Sequence, residues 1–163
     1  MGKSGTKWYI SGMELLTGEY RNTLDEKGRI LFPSKLRTEL FKDSEKNVLI
    51  VTQSFDRCLW LYTVDEWKTL SSKIMETASP FNKQNRLVLR SLIAPAQEIE
   101  LDKAGRLSVP QSLRDYAGLS KDCVILGINK YMELWDADTY AKYLEENDDS
   151  IKDAAEALST ISL

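Results

Sequence analysis

Residues 19–24 and 30–32 carry the two-residue alternation of half-buried strands, and between them Asp25 to Arg29 includes Gly28, which can take the positive φ of a tight reversal. Pro33 ends the second run. It is placed to open a helix through Leu36 and Leu40, because the N–H it lacks has no intrahelical partner there. The apolar runs 48–51 and 58–62, separated by Gln53 to Arg57, predict a hairpin. Thr63-Val64-Asp65-Glu66 has the form of a capping box, and Trp67, Leu70 and Ile74 then share one face, which predicts a helix over 63–75. A second helix is expected over 82–94, ended by Pro95, with Val88, Leu89, Leu92 and Ile93 on its apolar side and Arg86 and Arg90 one turn apart.

The pattern then repeats. Leu24-Asp25-Glu26-Lys27-Gly28-Arg29-Ile30-Leu31-Phe32-Pro33 returns as Leu101-Asp102-Lys103-Ala104-Gly105-Arg106-Leu107-Ser108-Val109-Pro110, at an offset of 77. The match runs on through Ser34-Lys35-Leu36-Arg37 against Gln111-Ser112-Leu113-Arg114. Downstream, the run 123–126, a strand ending at Leu134-Trp135 and a helix bearing Tyr140, Tyr143 and Leu144 repeat the plan, with Trp60 and Trp135 in matching places. A duplicated unit of this kind implies a pseudo-twofold molecule. The expected organisation is a leader or remnant at 1–12, a first repeat at 13–79, a linker helix at 80–95, a second repeat at 96–144, and an acidic C-terminal tail or helix at 145–163. In that last segment Ile151, Ala154, Ala155, Leu158 and Ile161 share a side.

Composition narrows the function. No apolar run reaches the ~20 residues of a membrane helix, so no membrane partner is expected. Among 163 residues there is no histidine, which removes the commonest general base and metal ligand. Cys58 and Cys123 have no metal-ligand spacing and read as core thiols, which fits a reducing compartment. There is no Gly-rich phosphate loop either, and neither an enzyme nor a cofactor or metal site is expected. The net charge of −3 is not that of a basic DNA-binding domain, so charge has to be argued locally.

The repeated turn is where local charge is found. Asp25 and Asp102 can accept from turn N–H groups and the glycines allow the reversal, but that shape does not require Arg29 or Arg106. Two explanations stand: Asp25–Arg29 and Asp102–Arg106 are surface ion pairs, or the arginines face a partner. Matched arginine-bearing strands across a pseudo-twofold suit phosphate positioning and guanine readout on duplex DNA. Lys27 and Arg21 in the first copy and Lys103 in the second join them as candidate DNA-binding residues. Lys27 has Ala104 as its counterpart, so the first turn is expected to dominate. The competing class is an oligomeric protein-interaction scaffold using Trp67, Tyr140 and the Arg86/Arg90 helix. Trp60 and Trp135 sit in apolar runs and are expected in the core.

At these residues the chain resembles the MraZ family, whose members carry two Asp-x-x-x-Arg signatures in paired AbrB-like swapped-hairpin units. The resemblance spans 13–143. It also takes in Arg90-Ser91-Leu92-Ile93-Ala94-Pro95-Ala96-Gln97-Glu98 and Met132-Glu133-Leu134-Trp135-Asp136. It implies an α+β, mostly β fold: an internally duplicated swapped-hairpin barrel, or pseudo-dimer, with short helices and a C-terminal helix. It further implies a cytoplasmic, nucleoid-associated transcriptional regulator that binds short repeated boxes in the double-stranded promoter DNA of its own cell-division and cell-wall operon and usually represses it. A homo-oligomeric ring, commonly octameric, is expected with it. Carried onto this sequence, the binding residues are Arg29 and then Lys27, with Asp25 orienting the turn and Arg106 as second-copy contact or structural echo.

Overall fold

A computed structural model describes residues 15–158; the expected leader at 1–12 and Ile161 lie outside the described residues. The first copy contains β1 (Leu16–Thr23), β2 (Arg29–Leu31), α1 (Ser34–Phe41), β3 (Val48–Gln53), β4 (Leu59–Thr63) and α2 (Val64–Thr77). After α3 (Lys83–Val88) and one wide turn (Leu89–Ile93), the second copy repeats this order. It has β5 (Gln97–Glu100), β6 (Arg106–Ser108), α4 (Gln111–Ala117), β7 (Asp122–Asn129), β8 (Tyr131–Asp136) and α5 (Ala137–Glu146), and α6 (Ile151–Glu156) follows.

Local chemistry sets the boundaries. Thr63 caps α2 by accepting from the Glu66 N–H, and Asp136 caps α5 through Thr139. Pro33 stands at the N-cap of α1, one position ahead of the helix it was expected to begin, and Pro110 takes the same place ahead of α4. The expected single helix over 82–94 breaks, because the Ala94 N–H reaches back five residues to Leu89 O (3.0 Å) while the Ala96 N–H turns to Ile93 O (3.2 Å). The freed Leu92 carbonyl accepts from the buried Thr52 hydroxyl at 2.6 Å, and Leu92 itself is buried.

Strand order reveals the swap. The six-stranded antiparallel sheet runs β1-β7-β8-β4-β3-β5, which reads the same from either end when the copies are exchanged. Each copy's first strand pairs with the other copy's hairpin, β1 on β7 and β5 on β3, and β2 pairs with β6 as a separate ribbon. The sheet does not close. Its edges β1 and β5 have no partner in each other, so the expected barrel is an open sheet with the ribbon and α1 and α4 packed on one face. The pseudo-twofold passes between Ile30 and Leu107 in the ribbon and between Trp60 and Glu133 in the sheet. Trp60 is therefore the counterpart of Glu133 rather than of Trp135, and Trp135 corresponds to Tyr62. The helix caps fix this register: Thr63 lies opposite Leu49 as Asp136 lies opposite Cys123.

The main core lies between ribbon and sheet. Ile30, Phe32, Leu107 and Leu113 are fully buried against Leu49, Leu59, Leu61, Ile125, Met132 and Leu134, with Leu36 and Val109 nearly so. A smaller cluster of Cys58, Val124, Leu126 and Trp135 packs under Tyr140 and Tyr143 of α5 on the opposite face. Cys58 and Cys123 are buried, as expected, and burial pushes each thiol up to about 12. Trp60 is only half-buried, edge-on to Phe55 and Tyr131, while Glu133 accepts from the indole N–H groups of both Trp60 (3.1 Å) and Trp135 (3.0 Å). On α6, Ile151 is 58% exposed, so the shared side of this segment does not dock on either core. No helix among the described residues is long and apolar enough to cross a membrane.

Candidate nucleic-acid interface

Each Asp-x-x-Gly-Arg turn is held by one carboxylate. In the first, Asp25 Oδ1 accepts from the backbone N–H groups of Lys27 and Arg29, both at 2.9 Å, and Oδ2 accepts from Arg29 Nε at 2.8 Å. The Asp25 N–H donates to Arg29 O (2.8 Å) and the Gly28 N–H to Asp25 O (3.0 Å), closing the loop. The second turn repeats every bond: Asp102 Oδ1 takes Ala104 N–H (3.0 Å) and Arg106 N–H (2.8 Å), and Oδ2 takes Arg106 Nε (2.8 Å). Gly28 and Gly105 sit at φ 78° and 83°, in the left-handed region that favours glycine.

The ion pairs anticipated from the sequence are thus formed, but they do not use up the arginines. Nε faces Asp, and among the described residues neither Nη group of Arg29 or Arg106 has a protein partner. Their side chains are 26% and 37% exposed. The carboxylate therefore fixes the plane of a guanidinium whose paired donors remain available.

Ribbon register brings the two arginines together. Arg29 lies opposite Ser108 and Arg106 opposite Leu31, while Ile30 and Leu107 turn inward. Arg29, Leu31, Arg106 and Ser108 therefore share the outer face, with the arginines as diagonal neighbours about 7–8 Å apart by ordinary sheet geometry. Lys27 and Lys103 are exposed in the turns at the two ends of this ribbon. The seventh candidate, Arg21, is not brought here. It lies on β1 beside Asp122, Ala137 and Asp138, on the sheet face away from the ribbon, whereas the adjacent Asn22 reaches the ribbon through Leu31 O (3.0 Å).

Two further arginines reach the site. Arg114 Nη1 donates to Lys27 O (3.3 Å) in the first turn, and Arg37 Nη1 donates to Ala104 O (3.4 Å) in the second. Each lies in the copy opposite the turn it touches. Their sequence signal is a shared offset within the repeat, which singles them out as it does Arg29 and Arg106.

Hydrogen bonding to Arg29 and Arg106 holds the Asp25 and Asp102 carboxyls below their usual value of 3.8. A carboxyl lowered in the folded state contributes stability above its unfolded value and loses it as pH falls through the folded one. The denaturation midpoint of the wild type is expected to drop as pH falls below about 3.8, with Asp25→Asn showing a shallower drop; equal slopes would contradict the role given to Asp25. Among the described residues no group of three His, Cys, Asp or Glu converges to hold a metal.

Comparison with known proteins places these features in a family. The model described as "MraZ protein, putative antitoxin-like" matches twice, over residues 15–91 and 92–161. The chain is 57% identical over 146 residues to the Transcriptional regulator MraZ of Treponema denticola, covering 90% of this chain and 99% of that protein. It is 45% identical over 147 residues to the Transcriptional regulator MraZ of Treponema pallidum, covering 90% of this chain and 96% of the relative.

Proposed function

Because the chain belongs to the MraZ family, whose relatives named above are transcriptional regulators, we propose that it regulates transcription by binding duplex DNA through the outer face of the β2–β6 ribbon. The observation that carries this reading is the pair of arginines, each oriented through Nε by an aspartate and each keeping its Nη donors outward on one two-stranded surface. A ribbon of this kind fits the major groove, where a guanidinium can bind guanine O6 and N7 together. Lys27 and Lys103 at the ribbon ends are placed for phosphates. The two turns carry one lysine each, but Lys27 stands one position nearer its arginine than Lys103, which occupies the place of Glu26.

Recognition of short repeated boxes in the promoter of its own division and cell-wall gene cluster, with repression as the outcome, is the finer form of this proposal. Cytoplasmic, nucleoid-associated action follows from it. A homo-oligomer presenting several ribbons would supply by avidity what the net charge of −3 does not.

A salt series on the wild type tests the reading, comparing the duplex immediately upstream of the chain's own coding sequence with a scrambled duplex of equal composition. Each neutralised phosphate contributes about −0.9 to the slope of log affinity against log salt, so a steep slope and a clear preference for the native duplex are expected. Lys27→Ala should lower that slope by about 1 per ribbon while weakening both duplexes alike. Equal affinity for the two duplexes in the wild type would turn the assignment toward a protein-interaction scaffold.

A further inference from the structure

We infer that Arg114 and Arg37 are crossed positioning residues: each sets the turn of the opposite repeat, so that the arginine presented by one copy depends on a side chain of the other. This rests on the DNA-binding reading for its consequence, though not for its geometry. The geometry is reciprocal, Arg114 Nη1 to Lys27 O and Arg37 Nη1 to Ala104 O. A Cβ built on Gly28 would stand 1.1 Å from Arg114 Nη1, and one on Gly105 would stand 1.4 Å from Arg37 Nη1. The glycines are thus needed twice, for their φ and to let the opposing guanidinium lie directly against the turn. Two backbone bonds run the same way, Val109 N–H to Gly28 O and Phe32 N–H to Gly105 O, each at 2.9 Å, so each turn rests on the strand and helix start of its partner copy.

The clamps are unequal. Arg114 is braced through Nη2 by Gln111 Oε1, and Gln111 Nε2 is in turn tied to Asp115 (2.7 Å). The position matching Gln111 in the first copy is Ser34, too short to brace Arg37 in this way. The stronger clamp therefore holds the turn that carries Lys27, and Arg114 is the more important of the two.

Hydrogen exchange read by mass spectrometry on the full chain, together with affinity for the native upstream duplex, tests the crossing. Arg114→Ala is expected to speed exchange in the segment 24–31 while leaving 101–108 unchanged, and Arg37→Ala to do the reverse. The unchanged segment in each variant serves as the check that the fold is retained. Affinity should fall about 10-fold in Arg114→Ala, the size of a lost bond from a charged donor. Arg114→Lys should restore part of it, and Arg37→Ala should lose less. Combining Arg114→Ala with Arg29→Ala should cost less than the product of the two single losses, whereas combining it with Arg106→Ala should multiply the losses.

Unchanged exchange in 24–31, or a salt slope that falls by about 0.9 in Arg114→Ala, would overturn the positioning role and make Arg114 a direct phosphate contact. If the wild type shows no preference for the native duplex, the DNA reading fails while the exchange arms still decide whether the turns are clamped across the repeats.

Discussion

Replacing both Arg29 and Arg106 with alanine is expected to abolish discrimination of the native duplex. A well-placed bidentate arginine contributes about 1–3 kcal/mol against the wrong base, so each single variant should lose roughly 5–150-fold and the pair roughly 30-fold to 10,000-fold or more. The loss will not be one of folding. Without its arginine, Asp25 still accepts from the Lys27 and Arg29 N–H groups, and Asp102 keeps the equivalent bonds, so the turn retains its shape. Unchanged thermal stability beside lost specificity, measured by competition against the scrambled duplex, is the predicted signature. If the arginines are structural ion pairs and nothing more, specificity will survive, since exposed pairs of this kind contribute only about 0–1 kcal/mol to stability.

The largest effect on stability is expected at Phe32. Its ring is fully buried where the ribbon meets α1, and its N–H is bonded across the pseudo-twofold to Gly105 O (2.9 Å). Phe32→Ala keeps that bond and removes the ring, a change that typically costs about 3–5 kcal/mol when the cavity cannot collapse. For a chain of this size that corresponds to a melting point lower by roughly 6–20 °C. Phe81→Ala, at a site 94% exposed, should move it by a degree or two at most. Because β1 and β5 are exchanged between the copies, Phe32→Ala should lower one cooperative transition for both repeats. Two separated transitions would contradict an interlocked core.

Much of this architecture could be read from residue order. The offset of 77 gave the pseudo-twofold, and alternation, prolines and the Thr63 cap gave most elements to within a few residues. What the sequence could not show is which partner each strand takes. Residues 19–24 and 30–32 look like the arms of a local hairpin around Asp25–Arg29. Instead no ladder joins them beyond an isolated bridge from Leu24 to Ile30 and the Asn22 side chain on Leu31 O, and each arm pairs with the other copy. Local alternation is the same in either arrangement; burial of Ile30 and Leu107 on one shared seam depends on the exchange.

The Trp60–Trp135 equivalence failed for a related reason. Residue type suggested it, but the helix caps and strand register decide alignment, and they set Trp60 against Glu133. Within the site, Asp25, Arg29, Asp102 and Arg106 were legible because a rigid turn leaves a fixed spacing in sequence. Arg21 was included on charge alone, and strand alternation places it on the opposite face of the sheet from its neighbour Asn22. Arg37 and Arg114 act 67 and 87 positions away along the chain, where spacing carries no signal and only the repeat does.

The most direct measurement is a protection footprint: hydrogen exchange across the whole chain, with and without the native upstream duplex at saturating concentration and moderate salt. Protection concentrated in 24–31 and 101–108, with 137–146 on the opposite face unaffected, is the result this account predicts. Protection centred on α2, α3 or α5, with both turns exchanging as in the free protein, would contradict it.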